Sequence, residues 1–107
     1  EWPQQLLIKY RKRRDITLQL LKELGWEVPV PSMALYLWMP LPAWAVSKGW
    51  DDETFTDELL NGTGVALAPG SGFGLGGSGW LRLALVRPQV ELKEAISRIR
   101  VWWNLYA

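Results

Sequence analysis

The sequence contains no cysteine and no histidine among its 107 residues. Without cysteine it has no disulfide framework, no thiolate metal site and no cysteine nucleophile. Without histidine it also lacks the most common general base and metal ligand. Only carboxylates, lysine, tyrosine and arginine remain for chemistry, which excludes a zinc protein and a Ser-His-Asp hydrolase. We expect no catalytic residue and no metal site in these residues alone.

The chain also lacks a strong net charge and a long apolar run. Its net charge is +1, from 12 Lys and Arg against 11 Asp and Glu, so no overall field draws it onto nucleic acid or an anionic membrane. Its longest apolar stretch, residues 33–46, is shorter than the roughly 20 residues that a spanning helix needs, and Pro40 and Pro42 interrupt it. We therefore expect neither a nucleic-acid partner nor a membrane partner.

The size and the first residue indicate one domain of a longer protein. The chain starts at Glu1 rather than Met, and no basic segment leads into an apolar one as in a secretory signal. Its composition, 49% hydrophobic and 21% charged, is typical of a folded domain with a single core. We predict one domain over residues 1–107.

Helical periodicity is clearest near the two ends of the chain. Over residues 3–24, apolar side chains recur at spacings of three and four, and Gly25 suits the left-handed position that ends a helix. From Pro88 onward the same periodicity predicts a terminal helix, carried by Leu92, Ala95, Ile96, Ile99, Trp103 and Tyr106. Three acids at residues 51–53 predict the start of a shorter helix that ends near Gly62.

Three apolar runs predict strands, at residues 34–39, 65–68 and 80–86. Residues 40–50 contain two prolines and a glycine and are predicted to form a loop. The order of elements predicts an α/β fold of the two-layer α+β kind, a small, mostly antiparallel sheet covered by helices. The last two strands could pair as a hairpin.

Six of the 10 glycines lie in the loop at residues 70–79, and Gly72, Gly74 and Gly77 fit the G-x-G-x-x-G spacing of dinucleotide-binding proteins. In those proteins the loop opens a helix whose amides hold the pyrophosphate, whereas here it leads into another strand. We interpret it as a connection that tolerates positive φ.

The first predicted helix carries a basic cluster, formed by Lys9, Arg11, Lys12, Arg13 and Arg14. Five basic residues within six helical positions point around much of the cylinder, so a solvated or interdomain face is favoured over phosphate contacts.

The 8 tryptophans are many for this length. Trp38 and Trp80 lie in strand runs and Trp103 lies on a helical stripe, so these are predicted to be core residues. Another three, Trp44, Trp50 and Trp102, could cover surface that a missing partner domain normally occupies.

Arg82 places a charge in the middle of the apolar run at residues 80–86. Its planar fork of donors matches a carboxylate in a bidentate way, which favours an anion-binding role. Alternation gives a second interpretation, because Arg82 shares a strand face with Trp80 and Ala84 and could point to water. The residues alone leave both interpretations open.

Four segments match the motifs of one enzyme family. Residues 65–74 are similar to V-x-V-x-P-G-x-x-F-G, and residues 79–85 to G-Y-x-R-I-S-L. Residues 10–15 resemble Y-x-x-R-R-D, and residues 34–38 resemble F-Y-L-W. Over nearly its whole length the chain thus resembles the small C-terminal domain of the class I/II, fold-type I aminotransferases, which depend on pyridoxal 5'-phosphate, near their aspartate and LL-diaminopimelate branch.

The resemblance implies that Arg82 binds the α-carboxylate of an amino-acid substrate. It implies that the whole enzyme, a homodimer, transfers an amino group to a 2-oxo acid, while the cofactor and its lysine belong to a large domain outside these residues. Lys48 follows a serine but lacks the family's S-x-S-K context, so we interpret it as a surface lysine. We expect a cytoplasmic enzyme, inactive as this fragment alone.

Departures from the family pattern leave the amino acid undetermined. The segment at residues 42–50 is longer than the usual turn, and Trp80 and Leu83-Ala84 replace the commoner Tyr and Ile-Ser. Two other functions remain open. One is a non-catalytic protein-interaction module that uses exposed tryptophans, and the other, ranked last, is nucleic-acid binding through the basic cluster.

Overall fold

The computed structural model describes residues 3–31, 36–73 and 75–107. Its elements, in chain order, are α1 (Gln4–Leu24), β1 (Tyr36–Pro40), α2 (Ala43–Ser47), α3 (Asp52–Thr63), β2 (Ala68–Pro69), two 3-10 turns (Gly70–Phe73 and Leu75–Gly77), β3 (Trp80–Ala84) and α4 (Gln89–Trp103). The predicted α/β class is confirmed as a small antiparallel sheet packed against helices. Among the described residues, every helix falls short of the length or the hydropathy that a membrane span requires.

The sheet has the strand order β1-β3-β2, and both pairs are antiparallel. The last two strands therefore pair as a hairpin, as the sequence indicates. Side chains alternate along each strand, so Leu37, Met39 and Leu81 enter the core at 0–1% exposure. Tyr36 and Trp38 lie on the opposite side, each 38% exposed. We call that side the open face of the sheet.

The strand boundaries differ in part from those predicted. The first predicted strand, residues 34–39, corresponds to β1, although Ala34 and Leu35 lie outside the described residues. The predicted strand at residues 65–68 pairs with β3 only from Ala68 onward. The amide of Val65 instead donates to the Thr63 hydroxyl at 3.0 Å. A side chain at the end of α3 thus accepts the hydrogen bond that this amide would otherwise donate to a neighbouring strand.

Residues 40–50, predicted to be a loop, contain the five-residue helix α2. The carbonyl of Pro42 accepts hydrogen bonds from the amides of Ala45 and Val46 at 3.0 and 3.2 Å. A proline at a helix start costs little stability. The N–H that proline lacks would have no hydrogen-bond partner within the helix at that position. The proline interpreted as a breaker therefore begins a helix.

Helix α3 ends at Thr63, next to its predicted end near Gly62. A Cβ at Gly62 would lie 2.5 Å from Cδ1 of Trp102 in α4, so this glycine provides room for an indole ring. The C-cap is Gly64, whose φ of 78° is the left-handed conformation typical of that position.

The helical side holds a cluster of aromatic rings that the sequence analysis misassigned. Neighbouring centroids lie 5.1–6.2 Å apart, and the rings belong to Trp44, Trp50, Phe55, Trp102 and Tyr106. The three tryptophans expected to face a missing domain thus pack against each other, because α2 brings Trp44 onto α4. Trp38, expected in the core, lies on the open face, because the helices cover only the other side.

The Gly62 contact gives a stability prediction. An alanine inside a helix normally adds roughly 0.5–1 kcal/mol of stability over glycine, but at Gly62 the methyl group would overlap the buried ring of Trp102. We expect Gly62→Ala to lower the free energy of unfolding by about 1–3 kcal/mol, measured by urea denaturation.

Gly72→Ala is the matched control, because no atom lies within 4 Å of the added Cβ. Its effect should stay within about 0.5 kcal/mol. A Gly62→Ala variant more stable than the wild type would show that Trp102 does not pack closely against α3.

Candidate functional site

Arg82 lies at the centre of the open face. It belongs to the middle strand, β3, and is paired with Trp38 on β1 and with Ala68 on β2. Its side chain is half-buried. The alternation expected from the sequence is confirmed, since Arg82 shares this face with Trp80 and Ala84, yet its neighbours partly enclose it.

Two aromatic rings contact the guanidinium group of Arg82. Its Cζ lies 4.4 Å from the ring centroid of Tyr36 and 4.2 Å from that of Phe73. Both distances are within the roughly 6 Å at which a cation is attracted to a ring face. The ring of Phe73 in turn contacts Trp38 edge-on, with centroids 5.5 Å apart and planes at 87°. These contacts use the positive charge of Arg82 rather than its N–H donors.

Within the described part of the chain, no carboxylate forms an ion pair with Arg82. Other arginines do have such partners, which are the pairs Arg14–Asp15, Arg87–Glu91, Arg98–Glu94 and Arg100–Glu23. A half-buried guanidinium whose donors are not used by a carboxylate of its own domain can bind a carboxylate from outside.

The glycine loop places Phe73 over this site. The backbones of Gly70 and Gly77 approach so closely that a Cβ on either would collide with the other. Positive φ is the reason predicted for these glycines, but close approach explains Gly70 and Gly77, and within the described part of the loop only Gly79, at 85°, has a positive φ. Of the spacing Gly72, Gly74 and Gly77, the middle glycine lies outside the described residues.

Asp52 anchors the loop to the start of α3. Its Oδ2 accepts a hydrogen bond from the amide of Ser71 at 2.8 Å, and the residue is only 2% exposed. Burial alone would raise the pKa of Asp52, but hydrogen bonds from Ser71 and Gly79 outweigh it and leave the pKa below its ordinary value.

Sequence reasoning missed this role, because it interpreted the acids at residues 51–53 only as a helix start. Asp51 alone performs that task, accepting from the amide of Thr54 at 2.8 Å. A second adjacent acid, not needed for the cap, is the signal that could have indicated another partner for Asp52.

The basic cluster of α1 differs from the prediction at one residue. Arg13 is 7% exposed, and its Nη1 donates to the carbonyl of Leu85 at 3.1 Å, just after β3 ends. Its Cζ also lies 5.1 Å from the ring centroid of Tyr10, one helical turn away. Arg13 is therefore a structural residue that fixes α1 to the exit of β3, because a buried guanidinium must be hydrogen-bonded. Lys9, Arg11 and Lys12 are exposed as expected.

A profile of the aminotransferase class I and II family matches residues 2–99. The chain belongs to this family. It is 38% identical over 97 residues to an LL-diaminopimelate aminotransferase from Desulforudis audaxviator, a match that covers 91% of the chain and 24% of that protein. It is also 38% identical over 90 residues to one from Dehalococcoides mccartyi, covering 84% of the chain and 22% of that protein. The chain thus spans about a quarter of the length of these curated relatives.

The fold is similar to that of solved aminotransferase-family structures. An aromatic aminotransferase from Pyrococcus horikoshii OT3 matches with a TM-score of 0.81 and 27% identity, over 91% of this chain and 25% of that chain. The resemblance drawn from the motifs of residues 65–85 is therefore confirmed at the level of family and fold.

The Asp52 anchor gives a prediction with a defined pH dependence. The pKa of Asp52 is lowered in the folded state, so its stabilising effect is complete above the ordinary value of 3.8 and is lost as the pH falls through the folded value. We expect Asp52→Asn to lower the free energy of unfolding at pH 7 by roughly 1–3 kcal/mol, because hydrogen bonds to a charged acceptor are weakened.

The control is Glu53→Gln, an exposed acid in the same turn, which should change stability little at either pH. Urea denaturation at pH 7 and at a pH well below 3.8 measures both variants. A stability difference between Asp52→Asn and wild type that is the same at both pH values would contradict the ionised anchor.

Proposed function

We propose that this chain is the substrate-binding small domain of a pyridoxal-phosphate-dependent aminotransferase and that Arg82 binds the carboxylate of the substrate. The observation that carries the proposal is the half-buried guanidinium on the open face, with no carboxylate partner among the described residues. Family membership supports the transamination chemistry. Arg82 is the residue that matches the arginine of the family's strand motif.

A single arginine suits both halves of a transamination. The amino acid and the 2-oxo acid differ at the α-carbon but share the adjacent carboxylate, so one guanidinium fork can hold either. Two parallel hydrogen bonds fix the carboxylate in position and in plane. The attached α-carbon then has a defined orientation, and positioning of this kind lowers the barrier of a bound reaction.

We propose that the lysine of the cofactor site lies outside these residues. All five lysines, Lys9, Lys12, Lys22, Lys48 and Lys93, are exposed, whereas a Schiff-base lysine is activated by desolvation or by neighbouring positive charge. Lys48 lies over the ring of Tyr106, 5.2 Å from its centroid, in the aromatic cluster. Pyridoxal phosphate supplies an electron sink when bound, and we propose that a large domain beyond these residues holds it.

The named relatives indicate which substrates to assay. LL-diaminopimelate is named in several of them, and L-glutamine with 4-(methylsulfanyl)-2-oxobutanoate in another. These compounds share the α-carboxylate and differ in their side chains, so the proposal extends to an amino acid and a 2-oxo acid and not to one compound. A homodimeric enzyme and a cytoplasmic location stay predictions.

The alternative function, a protein-interaction module, stays a prediction. The exposed tryptophan surface available to it is smaller than the sequence suggested. Of the three tryptophans considered for it, Trp102 is 5% exposed within the aromatic cluster, and Trp44 and Trp50 are half-buried there. The basic cluster likewise has fewer side chains available to bind phosphates, because Arg13 is buried and Arg14 pairs with Asp15.

Arg82→Ala in the complete gene product tests the proposal. We expect kcat/KM for LL-diaminopimelate, or for whichever amino acid in a panel gives activity, to fall about 100-fold or more. Two hydrogen bonds between charged groups are lost, each contributing roughly 1.5–3 kcal/mol. Arg82→Lys should restore part of the rate, because it keeps the charge without the fork.

The control is Arg98→Ala, which removes an exposed arginine paired with Glu94 on α4 and should leave the kinetics unchanged. If Arg82→Ala retains the wild-type kcat/KM, Arg82 does not bind the substrate and the proposed site is wrong.

A further inference from the structure

The side chain of Arg82 binds a ligand more tightly if neighbouring residues already restrict its rotamers. An arginine has many rotamers, and ordering them at each binding event weakens the binding of any ligand. Within the described residues, no carboxylate fixes this guanidinium. The contacts that restrict it are instead the rings of Tyr36 and Phe73, at 4.4 and 4.2 Å from Cζ.

We infer that Tyr36 and Phe73 are positioning residues that hold Arg82 in the conformation in which it receives the substrate carboxylate. This inference rests on the function proposed above for Arg82. The two rings come from separate elements, Tyr36 from β1 and Phe73 from the first 3-10 turn. They attract the positive charge without using its N–H donors, so the donors stay available for a carboxylate.

The ring of Phe73 is itself held in place. Trp38 contacts it edge-on, the amide of Ser71, two residues earlier, donates to the buried carboxylate of Asp52, and the contact between Gly70 and Gly77 fixes the turn. Helix α3 is thus connected to the guanidinium through the glycine loop. Functional groups work best when a second layer of contacts restricts their rotamers.

Loss of a ring should affect binding more than the chemical step. Both substrates use the same carboxylate, so a loosely held Arg82 would weaken the amino acid and the 2-oxo acid alike. Weakening the ground state and the transition state equally raises KM and leaves kcat nearly unchanged.

Leucine and ring-retaining substitutions in the complete gene product test the inference. We expect Phe73→Leu and Tyr36→Leu each to raise KM for the amino acid about two- to fivefold, the range of an exposed cation–π contact, with kcat nearly unchanged. Phe73→Tyr and Tyr36→Phe keep a ring and should retain the wild-type KM. Leu105→Ala, at a side chain 76% exposed after α4, is the control for nonspecific effects.

A double-mutant cycle with Arg82→Ala separates the inference from the proposed function. If Phe73 acts through Arg82, Phe73→Leu raises KM in the wild-type background and adds nothing once Arg82 is alanine. An equal rise in both backgrounds overturns the inference, because the ring then acts on the substrate or the fold directly, while the large effect of Arg82→Ala leaves the proposed function standing. If Arg82→Ala itself has no effect, the proposed function fails and the inference fails with it.

Discussion

The helices of this domain pack against one face of a three-stranded sheet, and the environment of Arg82 depends on that one-sided packing. Leu37 and Leu81 are fully buried on the covered face, while Trp38 is 38% exposed on the other. Because side chains alternate along a strand, a shift of one residue in register would move Arg82 into the core and a leucine out of it. The burial of apolar side chains on the covered face therefore fixes the register that places Arg82 on the open face.

The open face is connected to the rest of the fold through the glycine loop. Asp52 begins α3 and accepts from the amide of Ser71, and the turn that follows carries Phe73 to Arg82. This connection gives the buried carboxylate of Asp52 its hydrogen-bond donor. Its negative charge is stabilised by backbone amides rather than by a cation.

Much of the architecture could be predicted from the pattern of residues. Helix α1 with its left-handed end at Gly25 and the hairpin of β2 and β3 follow from local signals that the structure confirms. Features that depend on contacts distant in sequence were missed. Gly62 looks like a helix end until Trp102 packs against it, and alternation places Trp38 on a face without indicating which face the helices cover.

The most direct measurement of the central claim is a crystal structure of the complete protein with an amino-acid substrate bound. Two oxygens of the α-carboxylate should lie about 2.7–2.9 Å from two guanidinium nitrogens of Arg82, the distance of a charge-assisted pair. Tyr36 and Phe73 should still contact the Arg82 side chain. A carboxylate bound elsewhere, or an Arg82 paired with an acid from another part of the protein, would contradict the account.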